Sequence, residues 1–340
     1  MAMDLRFWRD PPKSVTEMGM DTRGRRTGAT FAAGTAVEPP ATPLRTTAMR
    51  VTATVPAVQI LALRIDHLVE AMVKDRSALR RTLPEVATQA IDLCSRPGGD
   101  ALAMERTLTR DPLISAQVIS LASSAMLAPR PPVRRVRDAV VAIGLDGVRD
   151  LALLVATSSI MLRARGLEAQ MKKLRRRVLA SASAAYLLAR VLRARSAHGF
   201  LAGLLHDIGE LVLVERCARE GLVTAAGWDH PAEGGPVRER IQAHHTSVGA
   251  ALCRSWRLPA CVADAAQFHH HYRSSGRTHL AAHLAAAADA LVPYVLPDVG
   301  FPAVPAHDQP VVRDLGLAPE RVRAVIDRAR PMAAALAAAP

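Results

Sequence analysis

The chain has 340 residues, enough for one large domain or two modest ones. Half of them are apolar and only 3% are aromatic, which favours helices packed through Ala and Leu over aromatic-rich sheets. The net charge of +13 suits anionic partners, and no uninterrupted apolar run reaches the ~18–20 residues that a membrane span needs.

Residues 1–57 hold Gly, Pro, Thr and isolated charges without a sustained period, and are expected to form a disordered extension. They show no apolar core of a signal peptide, and Met18, Met20 and Met49 are each alternative starts. Residues 58–77 read as a leading helix or linker, with Ile60, Leu63, Ile65, Leu68, Val69 and Met72 on one predicted apolar face. The next helix begins at Pro84, which a first turn tolerates, and SRPGGD (95–100) ends it. Asp111 as N-cap and Pro112 behind it open a helix over 111–127. PRPPVRR (129–135) is a rigid connection. A short helix over 133–143 breaks near Gly144, and LDGVRDLALLVATSSIML (145–162) resumes with an apolar face. A helix over 168–194 starts basic and turns apolar, and the helix carrying His206 and Asp207 follows. Helices come next around 236–254, 259–270 and 277–292, then a C-terminal loop and helical extension over 293–340 with its helix after Pro319. There is no internal repeat and no series of strands. Cys94, Cys217, Cys253 and Cys261 form no CxxC pair and read as free thiols, which makes a cytoplasmic protein the default.

The adjacent His206 and Asp207 lie in LAGLLHDIGELVL (201–213), just after an apolar run. An imidazole nitrogen and a carboxylate are both ligands for a divalent metal. Neighbours on a regular helix point about 100° apart, so joint ligation demands a distorted turn or a helix end. Gly209 is expected to supply the flexibility for it. More His and Asp residues follow at His244, His245, His269, His270, His271 and Asp289. The spacings are 39 residues from His206 to His245, 25 to His270 and 19 to Asp289. These cannot form a local zinc finger and converge only if several helices surround one polar centre. The plainer readings are a packed helix residue for His245 and a hydrated helix terminus for His269–His271. Asp289, in the apolar run AAAADALV, needs a polar partner if it is buried.

Further segments carry a family resemblance: LPEVATQAIDLC (83–94), RDPLISAQVISLASSAML (110–127), VRDAVVAIGLDGVRDLALLVA (136–156), LAGLLHDIGELVL (201–213), HTSVGAALCRSWRLP (245–259) and the later HH and Asp arrangement. In order and spacing the chain resembles, over residues 78–292, the HDOD family, a signalling branch related to HD-type metal phosphohydrolases. The resemblance implies an all-α fold, an HD-like helical bundle with an additional N-terminal helical subdomain. It also implies metal ligands at His206, Asp207, His245, Asp289 and one of His269 and His270, with His270 favoured. Where the relatives' early ligand His is expected, this chain has Arg177, whose guanidinium has no lone pair for a metal but can contact phosphate. Related cyclic-dinucleotide phosphodiesterases often have Lys directly after HDIG. Here Glu210 stands there, and AAGWDHPAEGGP (225–236) replaces their GYP signature.

The favoured function on this reading is a noncatalytic regulatory scaffold with no required cofactor. It would bind a signalling protein or a small phosphorylated ligand, with Met126, Leu127 and the PRPPVRR turn as part of the surface. A homodimer is compatible with it. The alternative is a metal-dependent phosphohydrolase or cyclic-dinucleotide phosphodiesterase, with Asp207 as the catalytic residue beside Mn, Fe, Zn or Mg. A third reading is a nucleic-acid binder that grips phosphates through Arg130, Arg134, Arg135 and Arg137 and through Lys172, Lys173, Arg175 and Arg176. The plain reading of those stretches is a solvated basic surface that steers an acidic partner.

Overall fold

The computed structural model describes residues 57–338, apart from 76, 78, 80–81, 95–99, 124–132, 162–163, 195–197, 230, 275–276 and 301. The extension expected over 1–57 (save its last residue), Met126, Leu127, Arg130 and most of the Pro-rich connection therefore lie outside the described residues, as does most of the predicted helix stop at 95–100.

The chain is all-α, as the sequence predicts. A leading helix α1 (Ala57–Lys74) precedes three short helices, α2 (Glu85–Cys94), α3 (Ala101–Leu108) and α4 (Pro112–Ala122). Local chemistry sets two of their starts. The carboxylate of Asp100 accepts from Ala103 N, and that of Asp111 accepts from Leu113 N and Ile114 N, satisfying first-turn donors that the helix leaves open. These three helices form a layer on α5 (Val136–Met161), which bends at Gly144, where φ is +79°. Only glycine adopts that conformation without strain.

On its other side α5 meets the bundle, made of α6 (Glu168–Val191), α7 (Gly199–Leu205), α8 (Ile208–Arg219), α9 (Ala225–Asp229), α10 (Pro231–Ser255), α11 (Ala260–Phe268) and α12 (Leu280–Val295). α6 packs on α7 and α12, while α10 packs on α8 and α11. The small residues Ala180–Ala185 bury one stretch of α6 completely. They let α7 approach so closely that a Cβ on Gly203 would lie 2.6 Å from Ser181 O. One short antiparallel pair, β1 (Arg273–Ser274) with β2 (Arg277–Thr278), follows α11 and was not expected from the sequence. The tail adds α13 (Pro310–Arg313) and α14 (Pro319–Ala338), the latter packed along α6.

α1 docks on α10 through buried Ile65 and Val69. Its Asp66 carboxylate accepts from Arg240 Nε at 3.0 Å and meets His244 Nε2 at 2.8 Å. The apolar face predicted for this helix is wider than what it buries, since Ile60 and Leu63 are 49% and 60% exposed. They lie about 140–160° around the axis from Ile65, beyond what one partner helix can cover. All four cysteines are free, with Cys217 and Cys253 buried. Among the described residues, no helix is long and apolar enough to cross a membrane.

Candidate metal centre

The helix expected to carry His206 and Asp207 is two helices, with these residues at the break between α7 and α8. The chain turns there, so both side chains face the same interior, which a straight helix forbids. Gly209 enables this through closeness rather than flexibility. Its φ is not positive, and a Cβ on it would sit 2.0 Å from His245 O and 2.7 Å from Gly249 N. The start of α8 and the middle of α10 thus touch main chain to main chain, which brings His245 beside Asp207.

Around Asp207 the ligand-type side chains converge from separate elements. His245 comes from α10, His269 and His270 from a single 3₁₀ turn that ends α11, and Asp289 from α12. The carboxylate of Asp207 faces two ways. Its Oδ2 lies 3.2 Å from His206 Nε2, and its Oδ1 lies 3.3 Å from His269 Nε2 and 3.6 Å from His245 Nε2. Asp289 Oδ1 is 3.9 Å from His206 Nε2. Two triads result, His245 with His269 and His270, and His206 with Asp207 and Asp289. In each, one donor atom per residue lies within 4.8 Å of the others.

Three rings are fixed in one tautomer by the main chain. Nδ1 of His206 lies 3.0 Å from Gly203 O, Nδ1 of His245 lies 2.7 Å from Gln242 O, and Nδ1 of His269 lies 3.2 Å from the carbonyls of Ala265 and Ala266. A carbonyl only accepts, so each Nδ1 carries a proton, and on a neutral ring such as that of His245 the remaining lone pair lies at Nε2, turned inward. Yet His245 Nε2 lies 3.3 Å from His269 Nε2 and 3.1 Å from His270 Nε2. A neutral His270 with its proton on Nε2 can donate to His245, and a cation among the three nitrogens would instead take a lone pair from each. His206 Nε2 is buried and makes no hydrogen bond of good geometry among the described residues. This donor set fits a divalent cation, and backbone-oriented imidazoles are the usual support for one.

The electrostatics divide the centre. Burial pushes the His245 imidazole down, and burial with the neighbouring His269 and His245 rings pushes that of His270 to about 4. Both are therefore neutral ligands at pH 7. Burial would also lower His206, but the carboxylates of Asp207 and Asp289 outweigh it and hold the imidazole well above its usual range. Burial would raise Asp207, but His206 and His269 draw it well below the ordinary carboxylate range.

Arg177, on α6, reaches the same centre. Its guanidinium lies 3.5 Å from Asp289 Oδ1. Burial opposes its charge, but Asp289, Glu210 and Asp207 together outweigh that cost. Glu210, in the first turn of α8, is buried, and burial together with Asp207 lifts its carboxyl to about 7.

The structure brings His206, Asp207, His245, His270, Asp289 and Arg177 together, and adds His269, for which the sequence favoured its neighbour. His269 is buried at the end of α11, whereas His270 and His271 are exposed, and His270 reaches the centre through its 3.1 Å contact with His245. Among the described residues, the basic side chains differ in their surroundings. Arg134, Arg135 and Arg137 are exposed at the start of α5, with Arg137 3.9 Å from Glu105. Lys172 and Lys173 are exposed on α6, whereas Arg176 pairs with Asp298 at 2.6 Å and Arg175 donates to Ala337 O.

The model of the HDOD domain matches residues 81–272, more than half of the chain. Among curated proteins, none matches. Three solved structures share the fold. One, provisionally named a phosphohydrolase, from Shewanella amazonensis, is 20% identical, with 78% of this chain and 98% of that one covered and a TM-score of 0.55. An HDOD domain protein of unknown function from Geobacter sulfurreducens is 22% identical, with 78% and 98% covered and a TM-score of 0.51. A protein from Marinobacter aquaeolei, provisionally named for signal transduction, is 21% identical, with 81% and 64% covered and a TM-score of 0.51.

Proposed function

Since the chain belongs to the HDOD family, we propose that it is a signalling or regulatory domain that keeps a metal-binding centre but does not turn over a phosphoester. The single observation that carries this reading is the pairing of Arg177 with Asp289. That contact engages both the cation that would meet a substrate phosphate and the carboxylate that would meet a second metal. The buried Glu210 beside it, whose carboxyl is raised to about 7, adds negative charge in its ionised form where an anionic ester would have to approach.

A divalent ion would be held by His245, His269, His270 and Asp207, and when bound it supplies a fixed positive charge to a centre built from several helices. The protein residues then act as a brace. His206 and Asp207 hold the α7–α8 break, His245 holds α10, and the two adjacent histidines hold the end of α11. His244, next to His245, carries Asp66 of α1, so the state of the centre reaches the leading helix. α5 touches α7 and α8 and carries it to the layer of α2–α4. A partner protein or small phosphorylated ligand reading either surface would sense that state. The provisional signal-transduction name of one relative supports this reading, and the free thiols support a cytoplasmic place of action.

The test is turnover. With Mn, Fe or Zn supplied, the protein is expected to hydrolyse bis(p-nitrophenyl) phosphate and cyclic dinucleotides no faster than its Asp207→Ala variant. Turnover that this substitution abolishes, in protein shown to be folded, would overturn the proposal and restore the hydrolase reading.

A further inference from the structure

We infer that Arg177 is a built-in cation in one half of the centre, so that the protein takes one divalent ion per chain where its ligand set has room for two. The inference rests on the reading that the centre holds metal at all.

Two triads of donor atoms stand side by side, and Asp207 belongs to both by geometry, with one oxygen toward each. The halves differ in charge and in access. Among the described residues, the half formed by His245, His269 and His270 holds imidazoles and Asp207 Oδ1, with no ion pair to a permanent cation. The half formed by His206, Asp207 and Asp289 contains two carboxylates, and a guanidinium already sits on it. Arg177 lies 3.5 Å from Asp289 Oδ1, the same oxygen that faces His206 Nε2 at 3.9 Å. A metal ion at that oxygen would meet a charge that cannot be removed by deprotonation. Nor is the guanidinium drawn away by an outside partner, since Asp289, Glu210 and Asp207 all attract it to the same place. The open half has nitrogen ligands and one carboxylate, which favours Zn or Fe over Mg.

The experiment is metal stoichiometry on the full chain, by elemental analysis after loading with Zn or Fe(II) and removal of free metal. Wild type is expected to hold one ion per chain. Arg177→His, which removes the charge and adds a ligand, is expected to hold two. Arg177→Gln removes only the charge and is expected to gain a second, weaker ion; it serves if the histidine variant does not fold, with circular dichroism reporting folding. Asp289→Asn should leave the stoichiometry at one, and His270→Ala should weaken that ion by roughly tenfold or more. Two ions in wild type, or one ion in the folded Arg177 variants, would overturn the inference while leaving the metal reading intact. No ion in wild type would overturn both. Phosphodiester turnover by wild type would strike only the nonhydrolytic reading.

Discussion

Gly209→Ala is expected to destabilise the domain by at least about 3 kcal/mol, the upper part of the range for overpacked interiors. The added methyl would stand 2.0 Å from His245 O and 2.7 Å from Gly249 N. Both are main-chain atoms, so no rotamer change can make room, and α8 must move off α10. The movement separates Asp207 from His245 and His269, so metal affinity falls together with stability. Gly249→Ala is the graded comparison. Its Cβ would meet Gly209 N at 3.3 Å and the Ala266 methyl at 3.4 Å, a contact that a small shift relieves. Urea denaturation checks both, read as the midpoint at constant slope. A Gly209→Ala midpoint within error of wild type would mean that the two helices are not in main-chain contact.

Glu210→Gln is expected to act in the opposite sense and to do so with pH. Burial and Asp207 raise the Glu210 carboxyl to about 7 in the folded protein, against 4.5 as the ordinary value. The folded state therefore holds its proton more tightly than the unfolded chain does. Stability from this group is present in full below pH ~4.5 and is lost as pH rises to ~7. The gap corresponds to roughly 3 kcal/mol lost by pH 8. Glutamine carries no charge, so the variant should match wild type near pH 4 and exceed it by up to that amount at pH 8. The comparison belongs in chelator, because a bound cation favours the carboxylate and narrows the gap. If the two proteins lose stability in parallel from pH 4 to pH 8, the Glu210 carboxyl titrates at the same pH in the folded and unfolded chain, and Arg177 offsets its burial fully.

The helices were largely legible because their signals are local. Asp111 before Pro112 marks a start, Gly144 marks a bend, and Ala–Leu periodicity marks the buried faces. The HD pair could be recognised as chemistry, and the need for a broken helix followed from the angle between neighbours. Other features were not legible, because they depend on what arrives from elsewhere in the chain. Nothing near Gly209 shows that the main chain of α10 lies against it, so its role read as flexibility. The choice between His269 and His270 depended on a 3₁₀ turn that presents both. The run from Lys172 to Arg176 looked like one basic surface, but Asp298 and the carbonyl of Ala337, over 100 residues away, take Arg176 and Arg175. Asp66 drew no notice in the sequence, since its partners Arg240 and His244 lie on α10. Arg177 was recognisable as a departure from the ligand pattern, whereas its pairing with Asp289 needed the fold.

The measurement that tests the account most directly is metal content of purified wild type and of an Asp207→Ala variant, both confirmed folded. Among the described residues, Asp207 is the one carboxylate that faces both triads, so its removal should empty the centre. The account predicts stoichiometric metal in wild type and its loss in the variant. A wild type that stays free of metal after reconstitution with Mn, Fe, Zn or Mg would contradict it, and so would equal metal content in the two proteins.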